Sequence, residues 1–272
     1  MEIKREDEKV RVFDSSEELS SDLADYVFQV GESAVKERGS FSLVLSGGDI
    51  PHRLGKLTRA PMVRMAEWWK WHVFWAEEKV VGRREPESIY RQVKEGFISK
   101  VPILPAHVIP VGIGHGISGE SAANNYEFSI RQQVRNRTVP VSPSSDCPRF
   151  DLVLLTLGNH GHVASLYPNN PVLEEDSQWV ACVCNDSSRE SVTLTLPVIN
   201  AAANVAIVAS GVDVARPFLD VMSGRRPIGS HPAQMIKPKD GKLVWFVDAT
   251  AASLFLRGRG SVATSSTHIE KC

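Results

Sequence analysis

The chain lacks most of the features that assign a protein to a class at first sight. Its four cysteines among 272 residues (Cys147, Cys182, Cys184 and Cys272) form no CxxC pair. That spacing argues against a disulfide framework and against a zinc site, and the thiols are expected to be reduced and structural. No apolar run approaches the roughly 20 residues of a membrane span, so no membrane segment is expected. Charge of one sign is missing too. Lys+Arg total 31 and Asp+Glu 32, a net charge of −1, which offers no electrostatic footing for nucleic acid. The first residues, MEIKREDEKVRVF, carry both signs. They resemble neither a signal nor a transit peptide, and a cytoplasmic location is expected.

What is present is a regular alternation of apolar strands and helical segments. Strands are predicted at 10–13, 41–45, 71–75, 108–111, 152–157, 179–184, 192–196, 205–209 and 243–247. Helices are predicted from Asp14 or Ser15 onward through Val30, after Pro51, from Pro86, over Ser121–Val134, over 197–203 and over 212–222. Unbroken apolar runs such as Leu152-Val153-Leu154-Leu155 suit strands buried on both faces. The expected fold is α/β, an open, doubly wound and mostly parallel sheet with helices on both faces. One domain spans 10–256, with a flexible N-terminus (1–9) and a disordered Gly/Ser-rich tail (257–272). Trp68, Trp69, Trp71 and Trp75 are expected in packing roles, and His107 and His115 in loops.

Three strand ends carry distinctive groups. Phe41–Leu45 runs into Ser46-Gly47-Gly48-Asp49-Ile50-Pro51, a Gly-Gly turn before a helix start and a potential anion site. Trp71–Trp75 runs into Glu77-Glu78-Lys79. The 152–157 strand runs into Gly158-Asn159-His160-Gly161-His162. Ligands bind beyond the carboxyl ends of parallel strands, so these three ends are expected to converge on one crevice. The glycines at 112, 114, 116 and 119 form a loop, because no acidic residue about 20 positions on supports a dinucleotide fingerprint.

These three edges, in this order and spacing, resemble the 6-phosphogluconolactonase family, which shares its fold with glucosamine-6-phosphate deaminase. The likeness is carried by LVLSGGDIP (43–51), VFWAEEKVV (73–81), PESIY (86–90), AANNYEFSIRQ (122–132), FDLVLLTLGNHGHVASLYP (150–168), VTLTLPVINAAANVAIVASG (192–211) and HPAQM (231–235). It covers residues 10–256 and is strongest to plant cytosolic members. It implies hydrolysis of 6-phospho-D-glucono-1,5-lactone to 6-phosphogluconate in the oxidative pentose phosphate pathway, with no metal and no cofactor. By the same resemblance His162 is the general base, Glu78 and His160 accompany it, and Ser46, Gly47, Gly48, Lys79 and Arg189 hold the sugar phosphate. A monomer or weak homodimer is expected.

The departures from the family pattern lie at the crevice. The family's Asp-Glu-Arg reads Glu77-Glu78-Lys79, and a lysine does not make the bidentate phosphate contact of an arginine. The Asp of Asp-Gly-His is His160, a family glycine is Thr156, and the amide of Ser-Asn-Tyr is Ile89. Two phosphate-side cations are replaced by Ser191 and Val214, with Arg189 two positions from the first. Such a pattern also fits a catalytically silent relative that binds a sugar phosphate or a protein partner. A deaminase is the least expected alternative.

Overall fold

The computed structural model describes residues 2–4, 8–114, 116–184 and 189–264. His115 and Cys272 fall outside them. Eight strands form the main sheet: β1 (Glu2–Lys4), β2 (Glu8–Phe13), β3 (Phe41–Leu45), β4 (Trp71–Trp75), β6 (Val108–Ile109), β7 (Leu152–Thr156), β10 (Asn204–Ala209) and β11 (Lys242–Asp248). Their order is β1-β2-β11-β10-β7-β3-β4-β6. Every neighbouring pair is parallel except β1 with β2. A second, antiparallel sheet is made of β5 (Glu77–Lys79), β9 (Glu190–Leu194) and β8 (Val180–Cys184). The sequence pattern gave strands at 179–184 and 192–196 but not this separate sheet.

The helices are α1 (Ser16–Arg38), α2 (Ile50–Arg53), α3 (Met62–Met65), α4 (Ile89–Gly96), α5 (Gly119–Arg135), α6 (Leu196–Asn200), α7 (Ala215–Ser223) and α8 (Ala249–Thr264). Helix α1 starts where its side chains dictate. Ser15 Oγ accepts from Glu18 N–H at 3.1 Å, and Glu18 reaches back to the Asp14 N–H. It stops at Gly39, whose φ of 78° closes the helix with an N–H bond to Val35 O.

Successive residues of one strand show where the helical layers lie. On β11, Phe246 meets Tyr26 of α1, whereas Trp245 meets Phe218 of α7, which in turn packs on Phe255 of α8. Adjacent strand residues point to opposite faces, so α1 covers one face and α7–α8 the other: the doubly wound layering. All five residues of β3 and the first four of β7 are buried. Each fully buried Leu, Val or Phe contributes about 1.5–3 kcal/mol, which holds these central strands in place. Trp68, Trp71 and Trp75 are core, and Trp69 lies at the surface.

Near the N-terminus, Glu8–Phe13 pairs in register with β11, and Glu2–Lys4 pairs antiparallel with β2. The tail is helical through Thr264, since α8 continues past residue 257; residues 265–272 are not among those described.

Chain order runs from β3 outward through β4 to β6, then returns to β7 on the opposite side of β3 and continues through β10 to β11. The direction of winding therefore reverses between β3 and β7. Crevices in open α/β sheets form at that switch point, beyond the carboxyl ends of the strands.

Candidate active site

The three strand ends converge as their sequences predict. The Ser46 N–H bonds Leu154 O at 3.0 Å and the Ala76 N–H bonds Leu45 O at 2.9 Å, extending the ladder past β3 and β4. The Leu157 N–H bonds Val208 O at 2.8 Å, so the loop 158–162 leaves the sheet beside the Ser46 turn.

That loop is folded by two glycines, each fitted to a histidine. The Gly158 N–H bonds His162 O at 2.9 Å, and the Gly161 N–H bonds Gly158 O at 2.9 Å. A Cβ on Gly158 would lie 1.9 Å from His162 Cε1, so the imidazole rests directly against the glycine. Gly161 has φ +72°, and a Cβ there would lie 2.3 Å from His231 Cδ2.

His162 stacks on Tyr167 (ring centroids 4.6 Å, 29° apart), and the His160 ring centroid lies 5.9 Å from that of His162. His160 itself is exposed. Burial lowers the His162 pKa to about 4, helped by His160 and Lys79. The ring is therefore neutral at pH 7. Its Nδ1 is shut off from solvent without a hydrogen-bond partner among the described residues, as are Ser46 Oγ and Thr156 Oγ1 at the same edge. Lys79 completes this column: its Nζ is 3.3 Å from Ser191 Oγ and 3.5 Å from Tyr167 Oη. Glu77 accepts from Ser165 Oγ at 2.7 Å, and burial raises its pKa against the pull of Lys79 and Ser165.

Other expected site residues engage partners of their own. The Glu78 carboxylate accepts from backbone donors. It is 1% exposed, and Oε1 accepts the Lys79 and Ile89 N–H groups at 2.9 and 2.8 Å while Oε2 accepts Tyr90 N–H at 2.7 Å. Its reach thus joins β5 to the first turn of α4, beside the Ser88 cap. Burial pushes the carboxyl up to about 7 against the downward pull of those three donors. Arg189 is turned away, bonded to Glu87 at 2.6 Å with both side chains more than half exposed. At the Gly-Gly turn, Gly48 adopts φ +70°, but its N–H donates to Gln92 Oε1 at 2.9 Å. The following helix, α2, is a single turn, so few peptide dipoles align behind that turn.

Four neighbours escaped the sequence reading: Tyr167, Ser165, Gln92 and His231. Tyr167 and His231 lie inside conspicuous stretches (150–168 and 231–235), which was the available signal. Nothing local marks Gln92, because its role depends on Gly48, 44 residues earlier.

A neutral imidazole, an ammonium group and a Gly-Gly turn at one sheet edge suit proton abstraction from water beside a developing negative charge. Comparisons agree with this architecture. The family profile described as glucosamine-6-phosphate isomerases/6-phosphogluconolactonase matches residues 14–245. A rice protein (Oryza sativa subsp. indica) named probable 6-phosphogluconolactonase 2 is 49% identical over 258 residues, 93% of this chain and 91% of that protein. An Arabidopsis thaliana protein named probable 6-phosphogluconolactonase 1 is 45% identical, covering 90% and 92%. Among solved structures, the 6-phosphogluconolactonase from Trypanosoma brucei superposes with a TM-score of 0.76 at 20% identity, covering 90% of this chain and 97% of that one. With its profile match across most of its length and its plant relatives near half identity, the chain belongs to the glucosamine-6-phosphate isomerase/6-phosphogluconolactonase family.

Proposed function

We propose that this protein hydrolyses 6-phospho-D-glucono-1,5-lactone to 6-phosphogluconate with His162 as general base. The observation that carries the reading is the placement of His162. It is neutral and packed against Gly158 and Tyr167, and the same Tyr167 meets the Lys79 ammonium through its hydroxyl. The names of the two plant relatives support the substrate.

In this reading Nδ1, buried without an acceptor among the described residues, carries the ring proton and leaves Nε2 to face a bound water. Nε2 takes a proton as the water oxygen attacks the C1 carbonyl, and the electron pair moves to the carbonyl oxygen. Lys79 stabilises that oxyanion. Collapse breaks the C1–ring oxygen bond, and the imidazolium returns its proton to the departing ring oxygen. No metal or cofactor takes part. Because the His162 pKa is low, its proton is returned readily, which suits a lactone whose ring opening is already facile in water.

A second reading is a binding protein with the same crevice but little turnover. It is favoured by Gln92 standing on the Gly48 N–H and by an imidazole, His160, in place of the family carboxylate. Lactone opening at neutral pH, after subtraction of spontaneous hydrolysis, separates the two. The first reading expects clear acceleration, reduced about 10²–10⁴-fold in His162→Ala. No acceleration by folded protein leaves the second.

A further inference from the structure

The cationic groups expected around a sugar phosphate are largely committed elsewhere. Arg189 pairs with Glu87 at the surface. Arg53 is 8% exposed and bonds Ser16, Ser20, Asp49 and Ser210. The Gly48 N–H is held by Gln92. On the other flank of the His162 loop, however, two arginines meet on one carboxylate. Asp220 of α7, itself 8% exposed, accepts Arg216 Nε at 3.1 and 3.2 Å and Arg226 Nε at 3.4 Å. Both guanidiniums are engaged only through Nε. Their Nη groups have no hydrogen-bond partner among the described residues, and the side chains are 64% and 51% exposed.

This cluster is packed against the catalytic loop. His231 stands 3.8 Å from Asp220, and its ring occupies the space a Gly161 side chain would take. The Ala233 N–H bonds Gly161 O at 3.0 Å, and Gln234 Nε2 donates to Asp220 O at 3.1 Å. The arginines are thus tied, through Asp220, His231 and Gly161, to the backbone that positions His162. Burial lowers the His231 pKa, so at neutral pH the group of two arginines, one aspartate and one histidine carries a single net positive charge. Four free Nη groups on a fixed carboxylate provide the planar, forked donors that match a phosphate dianion.

We propose that Arg216 and Arg226, anchored by Asp220, form a phosphomonoester clamp at the rim of the His162 crevice, with Asp220 as a positioning residue. The inference rests on the lactonase reading for the identity of the phosphorylated substrate, but the anion site itself does not. The clamp holds the phosphate at the solvent-exposed rim while the lactone ring points inward to His162. It takes over the contribution of cations replaced at Ser191 and Val214.

The test compares 6-phosphoglucono-1,5-lactone with unphosphorylated glucono-1,5-lactone, alongside titration of the full-length protein with inorganic phosphate. Arg216→Ala and Arg226→Ala each lower the ratio of kcat/KM for the two lactones by about ten- to hundredfold. The loss appears in KM for the phosphorylated lactone, and phosphate binding weakens in parallel. Arg226→Lys keeps the charge but not the fork and falls between wild type and Arg226→Ala. Asp220→Asn raises the same KM with kcat retained. An Arg216→Ala/Arg226→Ala protein that melts like wild type yet keeps both the substrate ratio and phosphate affinity overturns the clamp. Wild-type protein that opens neither lactone but loses phosphate binding in that double variant overturns the lactonase reading and leaves the clamp standing.

Discussion

Replacing Gly158 by alanine is the sharpest probe of the site, because its effect is dictated by packing. The new Cβ would lie 1.9 Å from His162 Cε1, 2.3 Å from Nε2 and 2.4 Å from Nδ1. Heavy-atom contacts this short do not persist, so the ring must swing away by about an ångström or more. A misplacement of that size costs roughly 10² in rate, and loss of the base altogether about 10²–10⁴. The backbone is not the obstacle: Gly158, unlike Gly161, is not among the positive-φ residues. Displacing the ring from its 4.6 Å stack on Tyr167 and crowding the turn together cost about 1–3 kcal/mol of stability. Gly158→Ala is therefore expected to stay folded while kcat for lactone opening falls at least about a hundredfold. The assay is acid release at neutral pH with spontaneous opening subtracted, paired with a melting curve. In Gly158→Ala/His162→Ala the rate should match His162→Ala alone, since both changes remove one base. A folded Gly158→Ala enzyme with wild-type kcat would refute the placement of His162 in the chemistry.

The pH profile follows from the same ring: with its pKa lowered to about 4 by burial, His160 and Lys79, the base stays unprotonated down to that pH. The acid limb of kcat/KM should fall near pH 4, and a limb near 6.5 would place an ordinary histidine in the role. Glu78→Gln puts an amide nitrogen against backbone donors now held at 2.7–2.9 Å and should cost about 2 kcal/mol. Thermal denaturation should then shift down by about 4–8 °C; an unchanged melting temperature with reduced kcat would return Glu78 to the chemistry. Among the described residues Arg189→Ala breaks an exposed pair with Glu87, so stability should change by no more than about 0.5 kcal/mol and KM for the phosphorylated lactone should hold.

The sequence by itself determined the sheet and the location of the crevice. Apolar runs at 41–45, 152–155 and 205–209 have no polar face to expose, so they must lie inside a covered parallel sheet. Glycines at 47–48, 158 and 161 mark where the chain turns out of it, and the family resemblance placed His162 there. These are local properties of neighbouring residues, legible before any tertiary contact forms.

Only the tertiary structure decided which polar groups meet. Glu78 caps a helix 11 and 12 residues away, Gln92 reaches back 44 residues to Gly48, and Arg189 finds Glu87 across 102. His231 fills the hollow left by Gly161, and Arg216 and Arg226 share Asp220. Glutamates 77 and 78 are adjacent in sequence, yet one faces Ser165 and the other a helix N-terminus, because successive residues of β5 point to opposite sides. The physical reason is range. Burial and turn chemistry are set by a residue and its immediate neighbours, whereas a hydrogen bond between side chains exists only where folding brings donor and acceptor within about 3 Å.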